Sequence, residues 1–262
     1  MSKPPYTSTQ IGAVCVLSID DAPYNRMSMA FMDALERDVA AIANDDNTRA
    51  VVITADGLDN FSVGMNLKEL GKGVSERGGT DAFFDQRLRV LAAIQNMDKP
   101  WVATLFGYCL GGGLELPLAC HFRVAAETGA QIGLPEADLG SVPAWGGSAR
   151  LCKTVGSNNA LDMILRAKKI SGPEAYRIGL ANEVWPLDQV KDKAIALAQE
   201  LAAAPRMTVK TMMQNLVHAD QRTLEELITL ERQAVHACNG TPDAQEGIMA
   251  FLEKREPVFN QS

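Results

Sequence analysis

The sequence predicts an α/β fold in which a parallel sheet is covered by helices and is followed by a helical C-terminal part. Two short β-branched segments, 13–20 and 49–56, are typical of buried strands, and segment 29–45 between them has apolar residues at helical spacing. After about residue 150, the periodic segments are all helical. Strands that alternate with helices indicate parallel pairing, because a parallel pair needs a long crossover connection.

The first strand–helix–strand unit lies at the start of the chain. Its strands read AVCVLSID (13–20) and RAVVITAD (49–56), and its helix reads MAFMDALERDVAAIAND (29–45). The helix is expected to end near Asn44 and Asp45, since both residue types favour helix ends over helix interiors.

A second unit of the same kind follows. TDAFFDQRLRVLAAIQNM (80–97) is predicted as an amphipathic helix, and PWVATLFGY (100–108) is predicted as a strand. Glycines then open a helix that runs toward Cys120, and HFRVAAE (121–127) is predicted as a further strand. The parallel sheet is therefore expected to continue through this part of the chain.

The remainder of the chain is predicted to be helical. Its periodic segments are NNALDMILRAKK, GPEAYRIGL, LDQVKDKAIALAQELAAA, RMTVKTMMQNLVHA, RTLEELITLERQAVHACN and DAQEGIMAFLEKR. An α/β body of about 150 residues is thus expected to precede a helical region.

Composition and charge argue against several classes of protein. Apolar residues make up 47% of the 262 residues, so a substantial core is expected. The net charge of −7 argues against nucleic-acid and anionic-membrane partners, which need a basic face. The N-terminal segment lacks the apolar stretch of a signal peptide. The five cysteines form no metal-binding pattern, so we expect no metal site. Their odd number and scattered positions indicate reduced thiols in a cytoplasmic protein.

The segment GYCLGGGLELPLACHF (107–122) places a glutamate in an otherwise apolar run. Gly111, Gly112 and Gly113 open a predicted helix, so their backbone N–H groups lack acceptors within the helix and suit an anion. Glu115 lies in the first turn of that helix. The carboxylate is either a helix cap in a tight connection or a functional group, and the segment alone leaves both interpretations open.

Two further segments add a glycine turn and a second carboxylate. NFSVGMNLKEL (60–70) follows the predicted strand 49–56, and IGLPEADLGSVPAWGGSARL (132–151) carries Glu136. The sequence of these segments matches neither the common phosphate-binding patterns nor the nucleophile elbow of hydrolases. Two glutamates together with backbone donors suit proton transfer beside a stabilised enolate.

Four segments resemble, in the same order, signature segments of the crotonase (enoyl-CoA hydratase/isomerase) superfamily. They are FSVGMNLKEL, KPWVATLFGYCLGGGLELPLAC, IGLPEADLGSVPAWGGSARL and AFLEKREPVF. The resemblance covers nearly the whole chain and implies a crotonase-like spiral of ββα units with a helical C-terminal trimerisation region. It also implies an acyl-CoA site in a core over 1–195, an oligomerisation region over 196–262, and a homotrimer or dimer of trimers.

The resemblance implies roles for individual residues. The N–H groups of Met65 and Gly112 match the oxyanion hole of the family, and Glu115 and Glu136 match the two catalytic glutamates of its hydratases. The implied activity is hydration of an enoyl-CoA thioester, in which Glu115 accepts a proton from water and Glu136 supplies one to Cα. No cofactor is implied, because coenzyme A is part of the substrate.

The segment 143–147 departs from the family pattern. The family's PGAGG is PAWGG here, so Ala144 replaces a glycine and Trp145 replaces a small residue, both at positions implied to line the substrate site. Ala144 keeps an N–H group that can hold the attacking water. Trp145 either fills the acyl end of the pocket, stacks on a flat acyl group, or packs away from the pocket.

Two lysines are candidates for binding coenzyme A. Lys68 follows the first glycine turn, and Lys254 lies in AFLEKREPVF, which resembles a family segment that reaches the CoA phosphates across a subunit interface. The alternative interpretation of each lysine is a solvated surface charge with no part in binding.

Two alternative functions remain open alongside hydration. The first is another crotonase-type acyl-CoA reaction, namely double-bond isomerisation, dehydration or C–C cleavage, although the presence of both glutamates favours hydration. The second is a non-catalytic RNA-binding relative, which the acidic composition and the lack of a Lys/Arg-rich helix disfavour.

Overall fold

The computed structural model describes residues 4–261, in which eight strands are present. They are β1 (Tyr6–Ile11), β2 (Val14–Ile19), β3 (Ala50–Ala55), β4 (Trp101–Leu105), β5 (Tyr108–Leu110), β6 (Phe122–Ala126), β7 (Gln131–Gly133) and β8 (Glu183–Trp185).

The same residues form ten α-helices. They are α1 (Met29–Asn44), α2 (Leu70–Glu76), α3 (Thr80–Gln95), α4 (Gly112–Ala119), α5 (Gly147–Leu165), α6 (Gly172–Arg177), α7 (Val190–Ala203), α8 (Arg206–Leu216), α9 (Leu224–Cys238) and α10 (Pro242–Glu253). Short 3₁₀ helices lie at Leu67–Glu69, Pro135–Leu139 and Ala219–Gln221.

Six strands form the main sheet, in the order β1-β2-β3-β4-β6-β8. Strand β1 pairs antiparallel with β2, and the other pairs in this sheet are parallel. Strands β3 and β4 are buried along their whole length, which explains why their sequences are continuous apolar runs. The predicted α/β class with a parallel sheet is confirmed.

A second layer is built from short strands. β5 and β7 pair in parallel as a separate sheet, and single bridges join Ser62 to Cys109 and Ile132 to Ile170. Each of β4 and β6 thus continues into a short strand of the second layer before the next helix begins. This arrangement is the expected spiral of ββα units.

The predicted strand 100–108 is divided between these two layers. Gly107 separates β4 from β5 and has a φ of +53°, which favours glycine over other residues. A Cβ atom at Gly107 would lie only 1.8 Å from the carbonyl oxygen of Asp59. The apolar run shows no sign of this break, because the residues on both sides of the turn are buried or nearly so.

Helices cover the main sheet and complete the core. The ring of Phe31 on α1 meets that of Tyr6 on β1 edge to face at 5.6 Å, and α7 packs against β2, β3, β4 and β6. The expected boundary between residues 195 and 196 lies inside α7. The division into a core and an oligomerisation region stays a prediction.

The C-terminal helices expose many apolar side chains. Leu224, Ile228 and Val235 lie on one face of α9, and Phe251 on α10 is 83% exposed. Exposed apolar surface of this kind is common at protein interfaces.

No helix in the part of the chain that the structure describes has the length and apolarity needed to cross a membrane.

Candidate active site

The two glycine turns identified in the sequence touch each other. A Cβ atom at Gly64 would lie 2.6 Å from the carbonyl oxygen of Leu110 and 2.9 Å from the nitrogen of Gly112, and one at Gly113 would lie 2.2 Å from the carbonyl oxygen of Ser62. The Ser62 hydroxyl fixes the first turn by accepting a hydrogen bond from the Gly64 N–H at 2.9 Å. The glycines are therefore needed because two stretches of backbone approach without room for a side chain.

The N–H groups of Met65 and Gly112 lie on these touching turns. Gly112 is the first residue of α4, so its N–H has no acceptor within the helix. Met27 forms an isolated parallel β-bridge with Met65. In this bridge the Met27 N–H donates to the Gly64 carbonyl, and the Met27 carbonyl accepts from the Asn66 N–H. Neither Met65 nor Gly112 donates a backbone hydrogen bond to an acceptor within residues 4–261. Two N–H groups without a backbone acceptor thus lie on two turns that touch each other.

Glu115 projects from the first turn of α4 into the protein interior. Its side chain is 2% exposed. One carboxylate oxygen, Oε1, accepts hydrogen bonds from the backbone N–H groups of Trp145 at 2.7 Å and Gly147 at 2.9 Å. A Cβ atom at Gly147 would lie 2.7 Å from Oε1, so a larger residue there would collide with the carboxylate. Glu115 therefore links α4 to the loop 143–147.

Burial changes the acidity of Glu115. Loss of water raises its pKa to about 7, the two backbone donors oppose this shift, and the nearby carboxyl of Glu136 adds to it. A carboxyl with a pKa near neutrality exchanges protons readily at physiological pH, which suits a general acid or base.

We expect the stability of the protein to fall as the pH rises from about 4.5 to about 7, because between these values the folded protein keeps a proton on Glu115 that the unfolded chain has released. Glu115→Gln should remove the contribution of Glu115 and so reduce this dependence, while the raised pKa of Glu136 leaves a smaller one. At about pH 8 the variant should be more stable than the wild type by up to about 3 kcal/mol, which is the free energy equivalent of the pKa shift. Urea unfolding at acidic and alkaline pH, at one protein concentration, measures the difference.

The exposed Glu127 provides the control for this measurement, because Glu127→Gln should leave the pH dependence of stability as it is in the wild type. A Glu115→Gln variant that is less stable than the wild type at about pH 8 would show that the buried carboxylate is well stabilised and that its pKa is not raised.

Glu136 approaches the same turn from the other side. It lies in the 3₁₀ helix Pro135–Leu139 and is half-buried. A Cβ atom at Gly111 would lie 3.1 Å from its Oε1, whereas its buried Oε2 has no hydrogen-bond partner within residues 4–261. Burial raises the pKa of Glu136 as well. The structure thus brings both predicted glutamates to the glycine turn that carries Gly112.

Trp145 lies directly beside this turn. Its indole is 2% exposed, and a Cβ atom at Gly112 would lie 2.6 Å from ring atom Cζ3. Its backbone carbonyl accepts a hydrogen bond from Arg150 at 2.7 Å, and Ala144 beside it is half-buried. The indole is therefore part of the core and at the same time touches the backbone of Gly112.

Lys68 and Lys254 are not in contact with this cluster. Lys68 is exposed in the 3₁₀ helix Leu67–Glu69, and Lys254 is exposed at the end of α10, where its φ is +56°. Neither side chain makes a hydrogen bond or ion pair with any residue that the structure describes. Their contact with coenzyme A stays a prediction.

Sequence reasoning missed two arginines near the site. Arg150 donates to Gln95 and to the Trp145 carbonyl, and so orders the loop 143–147. Arg87 on α3 is buried beside Trp145. The sequence signal for the burial of Arg87 was its helical spacing. It lies four residues after Phe83 and three before Val90, on the buried face of α3.

Among residues 4–261, no group of His, Cys, Asp and Glu side chains is arranged to hold a metal ion.

Comparison with known proteins identifies the family. A family model described as enoyl-CoA hydratase/isomerase matches residues 9–262. A probable enoyl-CoA hydratase from Bacillus subtilis is 35% identical over 250 residues, which are 94% of this chain and 95% of that protein. A 2,3-dehydroadipyl-CoA hydratase from Escherichia coli is 34% identical over 238 residues, which are 91% of each protein.

Solved structures agree with this assignment. The crystal structure of an enoyl-CoA hydratase from Bacillus anthracis has a TM-score of 0.91 and 30% sequence identity to this chain, and the match covers 98% of this chain and 100% of that one. The family match spans the glycine turns and both glutamates, Glu115 and Glu136. The chain therefore belongs to the enoyl-CoA hydratase/isomerase family, a group within the crotonase superfamily.

Proposed function

We propose that the protein is an enoyl-CoA hydratase, which adds water across the 2,3 double bond of an enoyl-CoA thioester. The observation that carries this proposal is the convergence of Glu115 and Glu136 on the turn that carries Gly112. Addition of water needs one group to take a proton from the water and another to deliver a proton to Cα, and two carboxyls with raised pKa values meet this need.

The unpaired N–H groups of Met65 and Gly112 supply the electrostatic part of the mechanism. The thioester oxygen accepts hydrogen bonds from both groups, and these bonds strengthen as negative charge develops on that oxygen in the enolate. Loss of one such donor typically slows a reaction by about 10²- to 10³-fold. The close contact of the two turns supports this role, because it restricts the movement of the backbone that carries both donors.

The surroundings of the two carboxyls support different roles for them. With a pKa of about 7, a large share of Glu115 is ionised at neutral pH, and the two N–H donors on one oxygen favour that ionised form, so we assign it as the base that takes a proton from the attacking water. The buried Oε2 of Glu136 lacks a donor, which favours the protonated acid. The hydroxyl oxygen then bonds to Cβ, the π electrons of the double bond pass toward the thioester, and Glu136 delivers its proton to Cα. We propose no cofactor beyond the coenzyme A of the substrate.

A panel of enoyl-CoA thioesters, from short aliphatic to aryl, tests the reaction. Hydration removes the conjugated double bond and yields a 3-hydroxyacyl-CoA, whereas isomerisation moves the double bond and keeps the mass of the substrate. An assay of 3-hydroxyacyl-CoA as the starting compound detects dehydration and C–C cleavage. Absence of water addition with every member of the panel would contradict the proposal.

We further propose that the protein forms a homotrimer or a dimer of trimers through its C-terminal helices, in a reducing cytoplasm that suits its five free thiols. The exposed apolar residues of α9 and α10 are the support, because a soluble monomer rarely leaves so many uncovered.

We expect Phe251→Asp to shift the protein to a lower mass in sedimentation velocity, since a charge would replace a large apolar side chain in the interface. Affinity for coenzyme A should fall at the same time, because Lys254 lies at the end of the same helix. Leu58→Asp, at an exposed apolar residue in the loop after β3, is the matched control and should keep the wild-type mass. Wild-type mass in the Phe251→Asp variant would exclude this part of α10 from the interface.

A further inference from the structure

Arg87 is a buried cation whose carboxylate-binding edge has no partner. Its side chain is 1% exposed. Both of its hydrogen bonds are made by Nη1, to the Phe83 carbonyl at 2.8 Å and to Gln86 Oε1 at 3.1 Å. Nε is buried without a hydrogen-bond partner among the described residues. The Nε–Nη2 edge, which is one of the two edges that bind a carboxylate through parallel hydrogen bonds, therefore has no hydrogen-bond partner among residues 4–261.

The acidic residues near Arg87 are already engaged elsewhere. Asp33 accepts hydrogen bonds from two other side chains, and Glu36 accepts from Gln86 at 2.8 Å and from an arginine further along α3 at 3.2 Å. Glu69 accepts from a backbone N–H and an asparagine, each at 2.8 Å. No ion pair within residues 4–261 includes Arg87.

An unpaired buried cation is unfavourable for stability, which makes its presence informative. Burial lowers the pKa of Arg87 to about 10, so the guanidinium is still charged at neutral pH. A buried charge is normally accompanied by a counter-charge. Phe83, with its ring centroid 3.5 Å from the guanidinium carbon, supplies only a cation–π contact. Asp33 and Glu69 favour the charged guanidinium from a distance, but no carboxylate among residues 4–261 forms a hydrogen bond or an ion pair with it. The Nε–Nη2 edge is therefore open to an anion from outside the chain.

The position of Arg87 connects it to the candidate active site. Its guanidinium carbon lies 6.0 Å from the ring centroid of Trp145, and that ring touches the backbone of Gly112. A single indole thus separates the cation from the turn at which the thioester is expected to bind. A group held by Arg87 would lie a short distance along the acyl chain from the reacting carbons.

We infer that Arg87 binds a carboxylate at the far end of a short acyl chain, so that the preferred substrates are enoyl-CoA thioesters of dicarboxylic acids. The inference rests on the proposed acyl-CoA function of the same site. Because the guanidinium is almost fully covered, binding of the carboxylate requires the side chains or the short helix α2 around Phe83 to move. Trp145 then separates the carboxylate from the proton-transfer groups and limits the length of the acyl chain.

Binding of unreactive acyl-CoA thioesters tests the inference without chemistry. The probes are adipyl-CoA and hexanoyl-CoA, which have acyl chains of equal carbon number and differ in the terminal carboxylate. In calorimetry, the wild type should bind adipyl-CoA about 10- to 100-fold more tightly, as expected for charge-assisted hydrogen bonds to a buried guanidinium. Arg87→Met should remove this preference, and Arg87→Lys should keep part of it because it retains the charge without the planar edge.

Arg89→Met is the matched control, because Arg89 lies on the same helix, is exposed and pairs with Glu36. The ratio of the two affinities should stay at the wild-type value in this variant. Affinity of Arg87→Met for hexanoyl-CoA should stay near the wild-type value, because that ligand has no carboxylate for Arg87 to bind. Equal affinity of the wild type for the two thioesters, or a parallel loss of both affinities with thermal stability in Arg87→Met, would overturn the inference.

A turnover assay separates this inference from the proposed reaction. Hexenedioyl-CoA and hexenoyl-CoA, each with a 2,3 double bond, are the substrates, and the ratio of their kcat/KM values should follow the ratio of the binding affinities. If neither is hydrated but adipyl-CoA still binds preferentially through Arg87, the hydratase proposal fails and the carboxylate site stands. If both are hydrated without a preference that depends on Arg87, the carboxylate site fails and the reaction stands.

Discussion

Replacement of Glu115 or Glu136 by glutamine should lower kcat for enoyl-CoA hydration by about 10²- to 10⁴-fold, the usual contribution of a positioned acid or base. Glutamine keeps the shape of the side chain and can still accept the N–H groups of Trp145 and Gly147 at position 115, but it neither takes up nor releases a proton at neutral pH. Initial rates with a short enoyl-CoA thioester, at saturating substrate, measure the effect for Glu115→Gln and Glu136→Gln.

Binding and folding are the controls for this pair of variants. Both proteins should bind the coenzyme A thioester with an affinity near that of the wild type, since neither carboxylate contributes charge to the CoA end of the substrate. Glu127→Gln, at an exposed glutamate, should retain full activity. Turnover above about a tenth of the wild-type rate in either variant would exclude that residue as a principal acid or base.

The second large effect is expected at Gly112. An alanine there would place its Cβ atom 2.6 to 2.7 Å from the Trp145 ring, well inside van der Waals contact, so either the indole or the turn must shift. The turn carries the N–H group that is proposed to bind the thioester oxygen. We expect kcat/KM to fall by about 10²-fold or more, because displacement of one such donor typically has this effect.

A second substitution identifies the cause of this loss. In Trp145→Leu the ring is absent, so adding Gly112→Ala should lower kcat/KM much less than it does in the wild type. Gly71→Ala is the control, since a Cβ atom at Gly71 meets nothing within 4 Å. If Gly112→Ala is equally harmful with and without the indole, the Trp145 contact does not determine the position of the turn.

The central strands of the main sheet could be predicted from the sequence, because they are buried on both faces. The predicted strands 13–20 and 49–56 contain β2 and β3, and the predicted helix 29–45 differs from α1 by one residue. Strand β1 was missed, since its sequence YTSTQI is polar and five of its six residues are exposed. Such an edge strand is specified by its antiparallel pairing with β2, which local pattern does not reveal. Strand β8 was missed as well: it lies in the part predicted to be helical, and its three residues are too few to show a strand pattern.

The candidate site could be predicted in part. The glycines of both turns and the two glutamates are visible in the sequence, and the structure brings them together. Their roles follow from family resemblance and stay predictions until tested. The contact of Trp145 with Gly112 and the unpaired edge of Arg87 were not predictable, because both depend on how the loop 143–147, α3 and α4 pack on one another.

Incorporation of labelled oxygen from water tests the hydratase assignment most directly. The wild-type protein, incubated with a trans-2-enoyl-CoA in oxygen-18-labelled water, should form a 3-hydroxyacyl-CoA with one labelled oxygen on Cβ, and Glu115→Gln should form it at least about 10²-fold more slowly. Mass spectrometry of the thioester products gives the answer. Recovery of unlabelled substrate, or of an unlabelled isomer with a displaced double bond, would contradict the assignment of this protein as a hydratase.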